Sequence, residues 1–305
     1  MSRVLTSTTQ PIKNLLRRVL SKKQYESLAN LRRQLLGQQK NGLEEVQRLL
    51  QRHPLDDGAL VTLKNSINVT GKMDYGRHDI FLCIDSRTEY DTRLRSCEKE
   101  PDTVKWIEDF MRPGDVFYDI GANVGVYSLV AAKYFVGAVK VFAFEPAFLN
   151  FTQLCRNIYL NNSQQTIFPL SVALSNKTGI GEFNYHDLVT GGSLHTLGAP
   201  IDHKGAPFTP VFIQKTLSYR LDDLIEQFKI HDPSHIKIDV DGIEKAVLEG
   251  AANTLLNSRL RSVIVELEEG DGKREITELL VSKGFQLHSE YRRWTPGMLN
   301  CIFIR

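Results

Sequence analysis

From Val116 onward the chain alternates between two hydrophobic periods. Short apolar runs recur at 116–120, 139–144, 166–172, 235–240 and 261–267, the pattern of strands buried on both faces. Between them, 126–135, 147–161, 218–229, 243–256 and 272–283 space apolar residues three and four apart, as amphipathic helices do. Strand and helix taking turns predicts an α/β fold, a mostly parallel sheet with helices on both faces. Gly284 closes the last helix, and 285–290 with 298–304 read as a terminal antiparallel pair, which makes a seven-stranded sheet. The stretch 179–217 interrupts the alternation with Gly191-Gly192, Pro200, Pro207 and Pro210, and is expected to be a long lid or binding loop. Upstream, 101–111 reads as a helix with Pro101 in its first turn, and Ile80-Phe-Leu-Cys-Ile84 as a strand of a cap within 60–95. Residues 11–36 repeat Ile12, Leu15, Val19, Leu28, Leu31 and Leu35 at helical spacing, and 42–52 continues as a short helix. The expected division is an N-terminal helical and cap extension, 1–95, followed by the α/β domain, 96–305.

Composition changes this picture little, since 42% hydrophobic and 24% charged residues suffice for an ordinary buried core. Charge placement changes it more. The net charge of +2 argues against a nucleic-acid binder, but residues 1–53 hold 11 Lys/Arg against 3 Asp/Glu, and the remainder 27 against 33. The basic amphipathic stretch 11–36 has two readings. It lies on an anionic membrane surface, or it packs on the α/β domain or on a second subunit as a homodimer; packing is preferred. No apolar run approaches the length of a membrane span, and the N-terminus lacks a secretory apolar core. Cys83, Cys97, Cys155 and Cys301 are far apart with no C-x-x-C pair, as expected of reduced thiols in a cytoplasmic protein.

The sharpest chemistry lies at 116–125, Val-Phe-Tyr-Asp-Ile-Gly-Ala-Asn-Val-Gly. A strand with one acid, Asp119, near its end runs into a turn bracketed by Gly121 and Gly125, and a helix follows. That layout brings backbone close to a ligand at a helix N-terminus. A dinucleotide fingerprint requires G-x-G-x-x-G, and Asn123 and Val126 occupy its second and third glycine positions. An NAD-dependent oxidoreductase, the alternative on this architecture, is thereby disfavoured. With no pyrophosphate to cradle, the turn suits a nucleoside carrying an amino-acid tail, S-adenosylmethionine, with Asp119 near its ammonium. Glu145 ends the Val139–Phe144 run, 24 residues after Gly121. That is close to the roughly 20-residue offset at which a βαβ unit presents an acid to ribose hydroxyls.

Asp119-Ile-Gly-Ala-Asn-Val-Gly125, Phe144-Glu-Pro146, Val172-Ala-Leu-Ser175, Ile236-Lys-Ile-Asp-Val-Asp-Gly-Ile-Glu244 and Asn300-Cys-Ile-Phe303 stand in that order. Together they resemble the serial motifs of the FkbM family of methyltransferases, over about residues 95–305. The resemblance implies the class I methyltransferase (Rossmann-like) fold. It also implies methyl transfer from S-adenosylmethionine to an oxygen, commonly a hydroxyl of a sugar, glycolipid or polyketide. Cofactor contacts are then expected at Asp119, Gly121, Asn123, Gly125, Glu145, Ser171, Ala173 and Asp239. The strand-four motif reads DVDG where the family more often shows DVEG, and the motifs leave the segment before residue 95 unexplained.

Ligands of open α/β sheets sit beyond the carboxyl ends of the strands. Asp239 and Asp241 close an apolar strand there and lead as the base that takes an acceptor hydroxyl's proton; His195 is the imidazole candidate. Two acids one residue apart on a strand point to opposite faces, so they share no task unless the strand ends between them. Mg²⁺ held by Asp239, Asp241 and Glu266 is the competing way to acidify the hydroxyl, but no metal site is assigned. The expected partner is a small-molecule or glycan hydroxyl acceptor. A non-catalytic module that binds S-adenosylmethionine without turnover is the second functional reading.

Overall fold

In the computed structural model, which describes residues 42–52, 55–201, 206–293 and 295–305, the apolar runs become strands buried on both faces. The basic stretch 11–36 lies outside the described residues. Among the described residues no helix is long and apolar enough to cross a membrane. The chain divides at Asn68 into two compact units. The first holds helices α1 (Gly42–Arg52) and α2 (Asp57–Ser66), the latter capped by Asp56, which accepts from the Ala59 N–H at 2.8 Å.

The second unit, Val69–Arg305, opens with a hairpin of β1 (Thr70–Lys72) and β2 (Phe81–Cys83). Helices α3 (Arg87–Asp91), α4 (Ser96–Lys99) and α5 (Pro101–Phe110) follow. Then come β3 (Val116–Ile120), α6 (Val126–Tyr134), β4 (Lys140–Phe144), α7 (Phe148–Leu160) and β5 (Ile167–Leu170). Residues 69–95, set with the N-terminal extension on sequence grounds, therefore share a unit with the sheet. The link is specific: Asn161 and Asn157 on and beside α7 accept from the Phe81 and Cys83 N–H groups at 3.0 and 2.8 Å.

The stretch expected to be a loop contributes three strands to a second sheet. β6 (Ala173–Leu174), β7 (Gly179–Tyr185), β8 (Thr196–Leu197) and β9 (Phe212–Tyr219) assemble in the order β6-β9-β7-β8. Because β9 runs to Tyr219, the next helix, α8 (Leu221–Phe228), starts later than its apolar spacing implied. The remaining elements are β10 (His235–Ile238), α9 (Glu244–Gly250), β11 (Ser262–Glu268), α10 (Asp271–Ser282), β12 (Gln286–Arg292) and β13 (Met298–Ile304). The expected 243–256 helix breaks after Gly250, whose Cβ, if present, would lie 2.0 Å from the Ser175 carbonyl oxygen.

Seven strands form the main sheet in the order β12-β13-β11-β10-β3-β4-β5. This is the class I, Rossmann-like methyltransferase arrangement. The terminal strands pair antiparallel as β12 and β13, and β13 alone runs against the rest of the sheet. Period-two alternation sorts the side chains. Phe117, Val141, Ala143 and Ile264 pack toward α5, α6 and α7, while Tyr118, Ile120, Phe142, Phe144 and Val263 pack toward α8, α9 and α10. Each such buried side chain contributes about 1.5–3 kcal/mol of apolar burial, which holds the strand ends in place for chemistry. At the amino ends a sealed network ties β10 and β11 to α5: Trp106 Nε1 donates to Ser262 Oγ at 2.9 Å, and His235 bridges Ser262 and Asp115.

Candidate active site

The strand order reverses between β3 and β10, and a cleft of about 370 Å³ opens beyond their carboxyl ends. At the end of β3 the Gly121 and Ala122 N–H groups both donate to the Phe144 carbonyl at 3.0 Å, which ties the turn to β4. Gly121 has φ +80°, and a Cβ there would sit 1.9 Å from the Asp239 carbonyl oxygen. The approach of the backbone after β10 by itself requires the glycine, which also lines the cleft. Gly125, φ +87°, lies outside the cleft wall; its absent Cβ admits Leu154 of α7, 2.4 Å away.

Asp119 also stays out of the cleft. Strand parity sends it with Phe117 toward α6, where it is fully buried and accepts from Ser128 Oγ at 2.6 Å. Its other oxygen has no hydrogen bond and lies 4.0 Å from Lys237 Nζ. Burial pushes its pKa up, opposed by Lys237 and Ser128. Asp119, expected near a ligand ammonium, is thus engaged by Ser128 and Lys237 beneath the turn and is not part of the cleft wall.

Glu145, in contrast, lines the cleft just after β4. One carboxylate oxygen accepts from the Ala147 N–H at 2.9 Å, the other from the Asn123 N–H at 2.7 Å. Burial nevertheless raises its pKa to about 7. Asn123, at φ +50°, stands in the same wall and sends Nδ2 to the Gly192 carbonyl at 2.8 Å. Ala173 is buried and lines the cleft, whereas Ser171 is exposed and does not.

β10 ends at Ile238, before either acid of the DVDG motif, so strand alternation no longer separates them and both line the cleft. Lys237 Nζ lies 2.7 Å from Asp239 Oδ2. Burial opposes charge on Asp239, but Lys237 and Arg293 outweigh it and hold the carboxylate well below the ordinary range. Its neighbour Glu266, 3.0 Å from Arg293 Nη2, is pushed up by burial and by the Asp239 charge, so that of the two acids it keeps the proton. Asp241 accepts from the Leu194 N–H at 2.5 Å. That bond pins a non-glycine residue at φ +67° in the loop that carries His195. The same loop is tied to Asn150, which accepts from the Gly191 N–H at 2.8 Å, and to Arg93, which donates to the Gly191 carbonyl.

His195 lies in the cleft wall, packed on Tyr185 and Phe183, and burial pushes its pKa down. The His186 N–H donates to His195 Nδ1 at 3.3 Å, which assigns the proton of the neutral ring to Nε2. In that state the free nitrogen donates and does not accept. Glu244, at the start of α9, was not singled out from sequence although it closes the IKIDVDGIE motif. One of its oxygens accepts from the Gly242 N–H at 3.1 Å, and burial raises its pKa to about 8. Lys237 carried a sequence signal, a lysine inside an apolar strand two residues before an acid. Arg293 carried none, because it arrives from the connection between β12 and β13.

The proposed Mg²⁺ cage does not match these partners. Asp239 and Glu266 are already engaged by Lys237 and Arg293, and among the described residues no group of three or more His, Cys, Asp or Glu could hold a metal ion.

The hexuronic acid methyltransferase AglP of Haloferax volcanii is 29% identical over 188 residues, covering 62% of this chain and 70% of that protein. The 31-O-demethyl-FK506 methyltransferase FkbM of Streptomyces tacrolimicus is 29% identical over 201 residues, covering 59% and 76%. The crystal structure of methyltransferase FkbM from Methylobacillus flagellatus KT superposes with a TM-score of 0.46 at 16% identity, covering 64% of this chain and 45% of that one. Residues 119–294, more than half of the sequence, match the methyltransferase FkbM domain, and the chain belongs to that family of methyltransferases.

Proposed function

We propose that this methyltransferase moves the methyl group of S-adenosylmethionine to a hydroxyl of a sugar, glycolipid or polyketide-type small molecule. Glu145 carries the cofactor reading. Each of its oxygens accepts a single backbone N–H, so each keeps a lone pair for a ribose hydroxyl. Gly121, Asn123, Glu145, Ala173 and Asp239 would hold the cofactor, which supplies a methyl group already activated on a sulfonium. The names of the relatives, a hexuronic acid and a 31-O-demethyl compound, support an oxygen acceptor.

The chain's own residues must then orient the acceptor and take its proton. Asp239, held ionised by Lys237, is a weak proton acceptor and serves better as fixed negative charge in the cleft. Glu244, at about 8, is matched to neutral pH, the condition under which a general base is most effective. Asp241 positions the 190–195 loop through Leu194, and His195 offers Nε2–H as a donor toward an acceptor oxygen. Titration calorimetry with S-adenosylhomocysteine, followed by mass spectrometry across hydroxylated acceptors, tests the reading. Binding together with a gain of one methylene mass is expected. Failure to bind the nucleoside would remove its basis.

A further inference from the structure

Arg93, Lys99 and Arg293 all line the cleft, and Arg293 takes the larger share of nearby carboxylate, pairing with both Glu266 and Glu100. Arg293 Nη1 takes Glu100 Oε2 at 2.5 Å, and Thr103 Oγ1 donates to the same oxygen at 3.2 Å. Lys99 is left with Glu100 Oε1 at 3.9 Å, beyond hydrogen-bond length. Among the described residues the Lys99 ammonium has no hydrogen-bond partner, although its side chain is only 23% exposed. Arg93 uses Nε and Nη2 on the Gly191 carbonyl, at 3.1 and 2.6 Å, and its Nη1 has no partner among the described residues. Desolvating an ammonium without replacing its hydrogen bonds is costly. Burial lowers the Lys99 pKa; Glu100 opposes that, and Arg293 and Arg93 add to it. Glu100 and Asp239 repay part of this cost through charge alone, whereas an anion entering the cleft would supply the missing hydrogen bonds.

We propose that Lys99, with Arg93 on the same wall, is an anion-recognition site that takes a carboxylate of a molecule bound in the cleft. Two carboxylates qualify: the amino-acid tail of the cofactor, and an acid group on the acceptor. The inference rests on the cofactor reading above and adds to it residues that the family motifs do not include.

Calorimetry on wild type, Lys99→Met and Lys99→Arg, with S-adenosylhomocysteine and with 5′-methylthioadenosine, separates the sources. The second ligand keeps the nucleoside and lacks the carboxylate. If the site takes the cofactor tail, Lys99→Met weakens S-adenosylhomocysteine about 10- to 100-fold, leaves 5′-methylthioadenosine unchanged, and is largely rescued by Lys99→Arg. If it takes the acceptor, both nucleosides bind normally, and the wild-type preference in kcat/KM for a uronate over the matching neutral hexose is lost. In either case the ligand-free Tm of Lys99→Met stays level or rises, since a half-buried ammonium with no hydrogen bond and only a long ion pair to Glu100 has been removed. Wild-type affinity and wild-type acceptor preference in Lys99→Met, or a lowered Tm, would overturn the proposal alone. A wild type that binds neither nucleoside would overturn the cofactor reading and this inference with it.

Discussion

Replacing Glu145 with Gln removes one charge from the cleft wall and keeps the side chain's shape. In the wild type this carboxyl titrates near 7 because burial opposes its ionisation. Ribose hydroxyls donate, and an ionised carboxylate is the stronger acceptor, so binding selects the ionised form. Affinity for S-adenosylhomocysteine should therefore climb as pH rises toward about 7 and level off above it. Below that value each pH unit should weaken binding by about tenfold, or about 1.36 kcal/mol. In Glu145→Gln the pH dependence should vanish, and affinity at high pH should fall by about 1.5–3 kcal/mol, the usual worth of hydrogen bonds to a charged group. Folding responds with the opposite sign. The folded pKa lies above the ordinary glutamate value of about 4.5, so between about 4.5 and about 7 the unfolded chain binds fewer protons. Stability from this group is lost as pH rises through that window, a total on the order of 3 kcal/mol. The Gln variant should lose that slope while leaving one of the Asn123 and Ala147 N–H groups poorly satisfied, at a cost of about 1–3 kcal/mol. Calorimetric titrations from about pH 6 to 8.5, with melting curves alongside, read both effects. A flat wild-type binding profile, or wild-type affinity in Glu145→Gln, would refute the ribose assignment.

Gly121→Ala combines a left-handed φ, about 1–2 kcal/mol by itself, with a Cβ 1.9 Å from the Asp239 carbonyl oxygen. A loss above about 3 kcal/mol should lower Tm by roughly 6–12 °C with or without ligand; normal melting with lost nucleoside binding would return this glycine to a ligand role. Glu244→Gln should cut kcat by about 10²–10⁴-fold with nucleoside affinity unchanged, and Asp241→Asn, which can still accept from Leu194, should cost less; the reverse ranking would make Asp241 the base. EDTA should leave turnover unchanged, because Lys237 and Arg293 already engage Asp239 and Glu266; a rate restored only by added Mg²⁺ would contradict that.

The main sheet was legible because its strands and helices differ in hydrophobic period, and β3 and α6 fall within a residue of their sequence bounds. The 179–217 stretch was not. In β7, Gly-Ile-Gly-Glu-Phe-Asn-Tyr, only the last three residues are buried, so half the strand shows no apolar alternation. Glu145 was found because its offset from Gly121 follows from the length of one βαβ crossover. Asp119 was misplaced although strand parity with Phe117 already pointed it toward α6. Arg293 was invisible for a different reason. It meets Glu100 from nearly two hundred positions away, and no local spacing records such a meeting. The carboxylates of Asp239 and Glu266 looked like a metal cage only because this buried cation could not be read from sequence.

Methyl transfer from S-adenosylmethionine to a hydroxyl in the cleft beyond β3 and β10 can be followed by isotope. The most direct measurement supplies the protein with S-adenosylmethionine labelled in its methyl group and a panel of hydroxylated sugars and polyketides. It then follows label into the acceptor and S-adenosylhomocysteine into solution. Equal amounts of labelled acceptor and S-adenosylhomocysteine are expected, with the label on an oxygen and the rate collapsing in Glu244→Gln. Label on carbon or nitrogen, or an undiminished rate in that variant, would contradict this reading.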